Sequence, residues 1–215
     1  MSDTDRIIVD LAADPVCPWC FVGLRSYQHV LKGLRDERAV VTRFRAYTLN
    51  PDTPLEGADR KRFYEKKFPD AAARKAMQEN LVAAAAGAGF DFDPGRPTRL
   101  VNTVRAHCLL RWAHFEGRHE ACAEALYCAF WEDDRDIGAI DTLAQIAASV
   151  GMNGDAVRRR LTDGDDQDAV MTEANAMRQS GVTGVPTFIV NEKTGFSGAL
   201  PPASLARAIR QAADL

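Results

Sequence analysis

The chain has 215 residues, 46% hydrophobic and 27% charged, with five cysteines and a formal net charge of −3. That is the composition of an ordinary globular protein with one sizeable core, and five irregularly spaced cysteines exclude a small disulfide-stapled scaffold. An acidic balance argues against nucleic acid as the main partner, and no apolar run nears the roughly eighteen residues of a membrane span.

Residues 1–6 are acidic and polar and carry no basic leader or apolar targeting segment, so the expected location is cytoplasmic, with no membrane partner. The apolar run from Ile7 to Leu11 reads as a buried strand, and residues 21–34 read as a helix. Between them lies Asp14-Pro15-Val16-Cys17-Pro18-Trp19-Cys20. Cys17 therefore stands at a helix start, where unpaired backbone N–H groups favour a thiolate, and Pro18 suits the first helical position. Cys20 follows one helical turn later, close enough to form a reversible disulfide with Cys17. The same C-x-x-C spacing serves half of a zinc site, as in a zinc-binding interaction module. Zinc needs a second ligand pair, and Cys108, Cys122 and Cys128 do not form one, so no metal is expected.

Residues 40–47 alternate and read as a second strand, giving a β-α-β opening with parallel strands. Asn50-Pro51-Asp52-Thr53-Pro54 breaks the chain, and a long helical stretch follows. Within it, residues 70–88 form a helix that ends at glycines. Thr98 is expected to cap the next helix, with Val101, Val104, Cys108, Trp112 and Phe115 on one apolar stripe. From His119 a further helix puts Cys122, Leu126, Ala129 and Phe130 inward; Cys128 lies off that face. Asp141 is expected to cap a helix through Val150, with Leu143, Ile146 and Val150 inward, and helices follow near 155–161 and 167–179. The basic runs Arg60-Lys61-Arg62 and Arg158-Arg159-Arg160 read as solvated helix faces. Thr187 to Val190 reads as a strand, Asn191 to Gly195 as a turn, and Phe196-Ser197-Gly198 as the start of a paired strand. Pro201-Pro202 opens a last helix, with Leu205 and Ile209 inward.

This order resembles the α/β thioredoxin-like fold with a large all-helical insertion between its β-α-β and β-β-α halves, as the DsbA family carries it. Residues 1–55 and 181–215 would form the thioredoxin-like domain and residues 56–180 the helical insertion. The motifs at Asp14 to Cys20 with Gly23, Asn102-Thr103 with Ala106-His107, and Gly184-Val185-Pro186-Thr187-Phe188 with Ser197-Gly198-Ala199 are similar to the FrnE-like branch of dithiol-disulfide oxidoreductases and isomerases. The chain departs from that branch at Cys108, where arginine is usual, and at Pro69, where glycine is. The resemblance implies that Cys17 attacks, Cys20 resolves, and Pro186 is a cis proline beside them. Pro18, Trp19 and Val185 would shape the site, and Asp14, Asn102 and His107 are candidates for lining its cleft. No organic cofactor is implied. Partners would be thiol- or disulfide-containing proteins or small molecules, with glutathione as a possible redox partner or co-substrate. The same superfamily holds the alternative, a glutathione-dependent isomerase or transferase related to 2-hydroxychromene-2-carboxylate isomerase and kappa-class glutathione transferase. Those enzymes commonly place serine at the position of Cys17.

Overall fold

The computed structural model describes residues 6–214. The reading of the N-terminus as leaderless rests on residues 1–5, which lie outside that range. In chain order the elements are β1 (Arg6–Ala13), α1 (Pro18–Glu37), β2 (Ala39–Ala46), β3 (Ala58–Asp59), α2 (Arg60–Lys67), α3 (Ala71–Gly87), β4 (Arg99–Leu100), α4 (Val104–Phe115), α5 (His119–Trp131), α6 (Ile140–Ser149), α7 (Gly154–Asp163), α8 (Gln167–Gln179), β5 (Thr187–Val190), β6 (Thr194–Ser197) and α9 (Pro202–Ala212).

The main sheet has the order β2-β1-β5-β6, with β1 parallel to β2 and antiparallel to β5. Alternation along the strands assigns their two faces. Ile7, Val9 and Leu11 of β1, with Phe188 and Val190 of β5, enter the main core together with Leu24 and Leu34 of α1 and Leu205 and Ile209 of α9. Ala12, and Ile189 of β5 opposite Asp10, meet Tyr47, Met177 and Val182 on the other face. Asp10 also points away from the main core. It is buried, and its carboxylate accepts from Arg43 Nε at 2.7 Å and Arg45 Nε at 2.6 Å. A buried carboxylate on a central strand is tolerable only with such charge-bearing donors. The β5–β6 hairpin turns on Asn191 and Glu192, both at positive φ, so the turn is shorter than the five residues expected.

The helical stretch between β2 and β5 is fastened to α1 by aromatic rings. Phe21 stacks on Tyr127 at 5.8 Å and meets Phe90 and Phe92 edge-on, and Phe92 meets Trp131. Four sequence expectations are corrected. Thr98 does not cap α4: Arg99–Leu100 pairs with Ala58–Asp59 as a small ribbon, Thr98 bonds Asp134, and α4 begins after Thr103. Phe115 leaves its stripe and is 74% exposed, because α4 ends there and the last turn passes beyond the core. Asp141 lies inside the first turn of α6, whose cap is Ala139, and pairs with Arg158; Val150 is only half-buried. Arg60 leaves its solvated run to stack between Tyr64 and Trp131. α1 also begins and ends three residues beyond the expected limits.

Candidate active site

Cys17 is the N-cap of α1, with Pro18 in the first turn. At that position a serine or aspartate would place an oxygen over the free amides; here a sulfur stands there, and no side chain caps the helix. The turn is fixed by its own main chain, with Cys17 N–H donating to the Asp14 carbonyl at 2.9 Å and Cys20 N–H donating to the Cys17 carbonyl at 3.0 Å. Trp131 Nε1 ties α5 to the turn by donating to the Pro15 carbonyl at 2.9 Å. Both cysteines are free thiols; Cys17 is 3% exposed and Cys20 fully buried. Burial pushes the Cys20 thiol well above its ordinary value, and the hydrogen bond and charge of neighbouring Cys17 push it the same way.

The opposite wall comes from the loop before β5. The Val185–Pro186 peptide is cis, and Cys17 Sγ donates to the Val185 carbonyl at 3.7 Å. α1 lies close to this loop because residue 23 is glycine. A Cβ there would meet Pro186 Cγ at 2.8 Å and Pro186 Cβ at 3.3 Å. Gly23→Ala is therefore expected to cost about 1–3 kcal/mol, although alanine is the better helix former by about 1 kcal/mol. Urea unfolding of the two proteins measures the difference; a stabilised variant would show that the loop yields freely.

Asp14, His107 and Asn102 diverge. The fully buried Asp14 carboxylate accepts from Leu49 N–H at 2.6 Å, Val16 N–H at 3.4 Å and the Thr103 hydroxyl. Desolvation outweighs these donors and the charge of Arg178, raising its pKa from 3.8 to about 6. His107 is buried beside it, Nε2 standing 3.9 Å from Asp14 Oδ1, too far for a hydrogen bond. Burial lowers its pKa from 6.5 to about 4 against a supporting bond to the Tyr47 main chain, so His107 is neutral at pH 7 and forms no ion pair. Asn102 turns elsewhere, donating to the Thr53 carbonyl at 2.8 Å and accepting from Val104 N–H at 3.0 Å. It pins the 50–54 break to the start of α4. Trp19 and Pro18 are half-buried at the rim.

Thr103, quoted from the sequence only as part of the Asn102-Thr103 motif, bonds Asp14. Two residues near the thiols were not singled out from the sequence. Tyr127 of α5 is buried next to Cys20. Tyr64 of α2 is close enough to feel charge on Cys17. Tyr127 fits the apolar face of its helix and Tyr64 sits in a basic run, so neither carried a distinguishing local signal. Cys108 and Cys122 are fully buried, both pushed up to about 12 by burial, while Cys128 accepts from Arg25 Nη2 at 3.2 Å. Among the described residues no group of three or more His, Cys, Asp or Glu side chains could hold a metal ion. Nor is any described helix long and apolar enough to cross a membrane.

A sheet of this order, with two thiols at the start of its first helix and a cis proline opposite, defines a thioredoxin-type protein with a helical insertion. The chain belongs to the DSBA-like thioredoxin domain family, whose model matches residues 8–210. It is similar to a probable DsbA oxidoreductase, SCO1869, of Streptomyces coelicolor: 29% identical, TM-score 0.83, covering 96% of this chain and 89% of that one. It is 26% identical to the uncharacterized protein YwbO of Bacillus subtilis over 86% of each chain. The structure of the cytosolic disulfide reductase DsbM of Pseudomonas aeruginosa, solved with GSH, shares the fold at 16% identity, with a TM-score of 0.63 over 96% of this chain and 94% of that one.

Proposed function

We propose that the chain is a cytoplasmic thiol-disulfide oxidoreductase or isomerase of the FrnE-like branch, working through Cys17 and Cys20. The carrying observation is an asymmetry: Cys17 occupies the helix N-cap facing the Val185 carbonyl, while Cys20 is sealed behind it and held protonated by burial. In the reducing direction the Cys17 thiolate attacks one sulfur of a substrate disulfide and expels the other as a thiolate, leaving a mixed disulfide. Cys20 then loses its proton and attacks the Cys17 sulfur. The second substrate thiolate leaves, and the protein ends as the Cys17–Cys20 disulfide, oxidised by two electrons. Oxidation of a dithiol is the same path reversed.

Cys20 needs a proton acceptor, and Asp14 supplies one. Its carboxylate lies within electrostatic reach of Cys20 and titrates at about 6, near the operating pH of a general base. No organic cofactor is required; glutathione serves as a small thiol that regenerates the reduced pair. The test is reduction of hydroxyethyl disulfide by dithiothreitol. Wild type is expected to accelerate it and Cys17→Ser to lose the acceleration. A Cys17→Ser protein as active as wild type would overturn the assignment. If glutathione instead binds to Cys20→Ser and is never consumed in exchange, the glutathione-dependent isomerase reading takes its place.

A further inference from the structure

Beside the thiols, α2, α3 and the 94–98 loop enclose a cavity of about 670 Å³ whose wall includes Pro18 of the redox turn. Its size is that of a ligand pocket, and Tyr64, Phe68, Met77 and Leu81 give it an apolar interior. Two guanidinium groups border it. Arg60 is held over the rings of Tyr64 and Trp131, at 4.8 and 5.2 Å, and its Nη1 donates to the Pro97 carbonyl at 3.2 Å. Arg74 Nη1 donates to the Phe68 and Pro69 carbonyls, at 2.5 and 3.0 Å.

Among the described residues neither arginine meets a carboxylate within ion-pair distance, whereas Lys61 and Lys75 on the same rim face Glu65 and Glu79. Asp59, also on the wall, uses its carboxylate to cap α2 by accepting from Arg62 N–H. Asp93 and Asp134 act on Arg60 only from beyond ion-pair distance, so the charge left unpaired at the cavity is that of two arginines over an apolar floor. A guanidinium fixed by carbonyls retains donors that suit a carboxylate, and pairing a partly buried one offsets its lost hydration.

We propose that this cavity selects the substrate: it takes a peptide segment in which a large apolar side chain and a carboxylate lie beside the reacting cysteine. The inference rests on the exchange reading above. A peptide fits better than a free small thiol for a geometric reason. A chain extended along the Val185 carbonyl, with its sulfur at Cys17, projects neighbouring side chains to either side of its path, and Pro18 puts the cavity on one of those sides.

Binding of fluorescent peptides, with serine replacing the reacting cysteine, tests this by anisotropy at low salt. One peptide carries Phe and Glu beside the serine; its twin carries Phe and Gln. Wild type is expected to bind the Glu peptide at least fivefold more tightly. That preference should fall to within twofold in Arg74→Gln and in Arg60→Gln, which alter different helices, α3 and α2, and persist in Arg207→Gln on the exposed face of α9. Equal binding of the two peptides by wild type, or an undiminished preference in both cavity variants, would overturn the inference. Because the peptides carry no thiol, the result is independent of chemistry. A protein that shows the preference but cannot reduce hydroxyethyl disulfide sinks the exchange reading alone, and one that reduces it without the preference sinks the cavity assignment alone.

Discussion

A Cys20→Ser protein is expected to accumulate mixed disulfides on Cys17, with glutathione or protein clients, as adducts that dithiothreitol removes. Release from the mixed disulfide requires a second thiolate, and an adjacent thiol acts at an effective concentration that external millimolar thiols cannot match. Losing it should lengthen the life of the adduct by roughly 10³-fold or more. No other cysteine can substitute. Cys108 and Cys122 are fully buried and pushed up to about 12, which leaves roughly one thiolate in 10⁵ at pH 7. Cys128, raised to about 11, is engaged by Arg25 on the outer side of α5. Cys17→Ser should trap almost nothing, because the remaining Cys20 is sealed and protonated. Intact mass spectrometry of both variants purified without reductant reads the outcome. Adducts on Cys17→Ser, or none on Cys20→Ser, would reverse or remove the assigned roles.

Asp14 and His107 are expected to give the protein two opposed pH dependences that nearly cancel. A carboxyl raised from 3.8 to about 6 by burial stabilises the fold in its protonated form. Its contribution is fully present below pH 4 and is lost as pH rises through about 6. An imidazole lowered from 6.5 to about 4 stabilises the fold in its neutral form. That contribution is present above about pH 6.5 and is lost as pH falls through 4. Each is worth about 2–3 kcal/mol across the same window. Relative to wild type, Asp14→Asn should therefore lose about that much stability between pH 7 and pH 4, and His107→Gln should gain it. Urea unfolding at four pH values separates the two; parallel profiles for all three proteins would mean that neither group titrates as its burial dictates. If Asp14 also takes the Cys20 proton, Asp14→Asn should slow release from the Cys17 mixed disulfide by roughly 10²-fold while leaving the initial attack intact.

What the sequence determined by itself is local. Cys17, Pro18 and Cys20 lie within one helical turn, so the cap position, the buried second thiol and the strand before them follow from neighbours in the chain. The parallel β1–β2 pair and the closing hairpin follow from periodicity and turn residues in the same way. The Gly184 to Phe188 motif placed Pro186 opposite Cys17 only through resemblance, since 168 residues separate the Cys17 sulfur from the Val185 carbonyl it meets.

Tertiary structure decided the groups that tune and border the thiols. Asp14 was a candidate for its position, but its carboxyl titrates near 6 because tertiary packing removes it from water, an effect that outweighs the hydrogen bonds from Leu49 and Thr103. Arg60 read as part of a solvated basic run, and Tyr64 just after it carried no reading of its own. Their place at the redox turn depends on a two-residue ribbon between Ala58–Asp59 and Arg99–Leu100, too short to leave a periodic signature. Thr98 and Asp141 were misplaced as caps for a related reason. A side chain that caps a helix and one that bonds a distant loop or a neighbouring helix are the same residue types, and only long-range contacts choose between them. The chemistry of the pair was written in four consecutive residues; the charge and apolar surface around it come from helices that packing alone brings to the site.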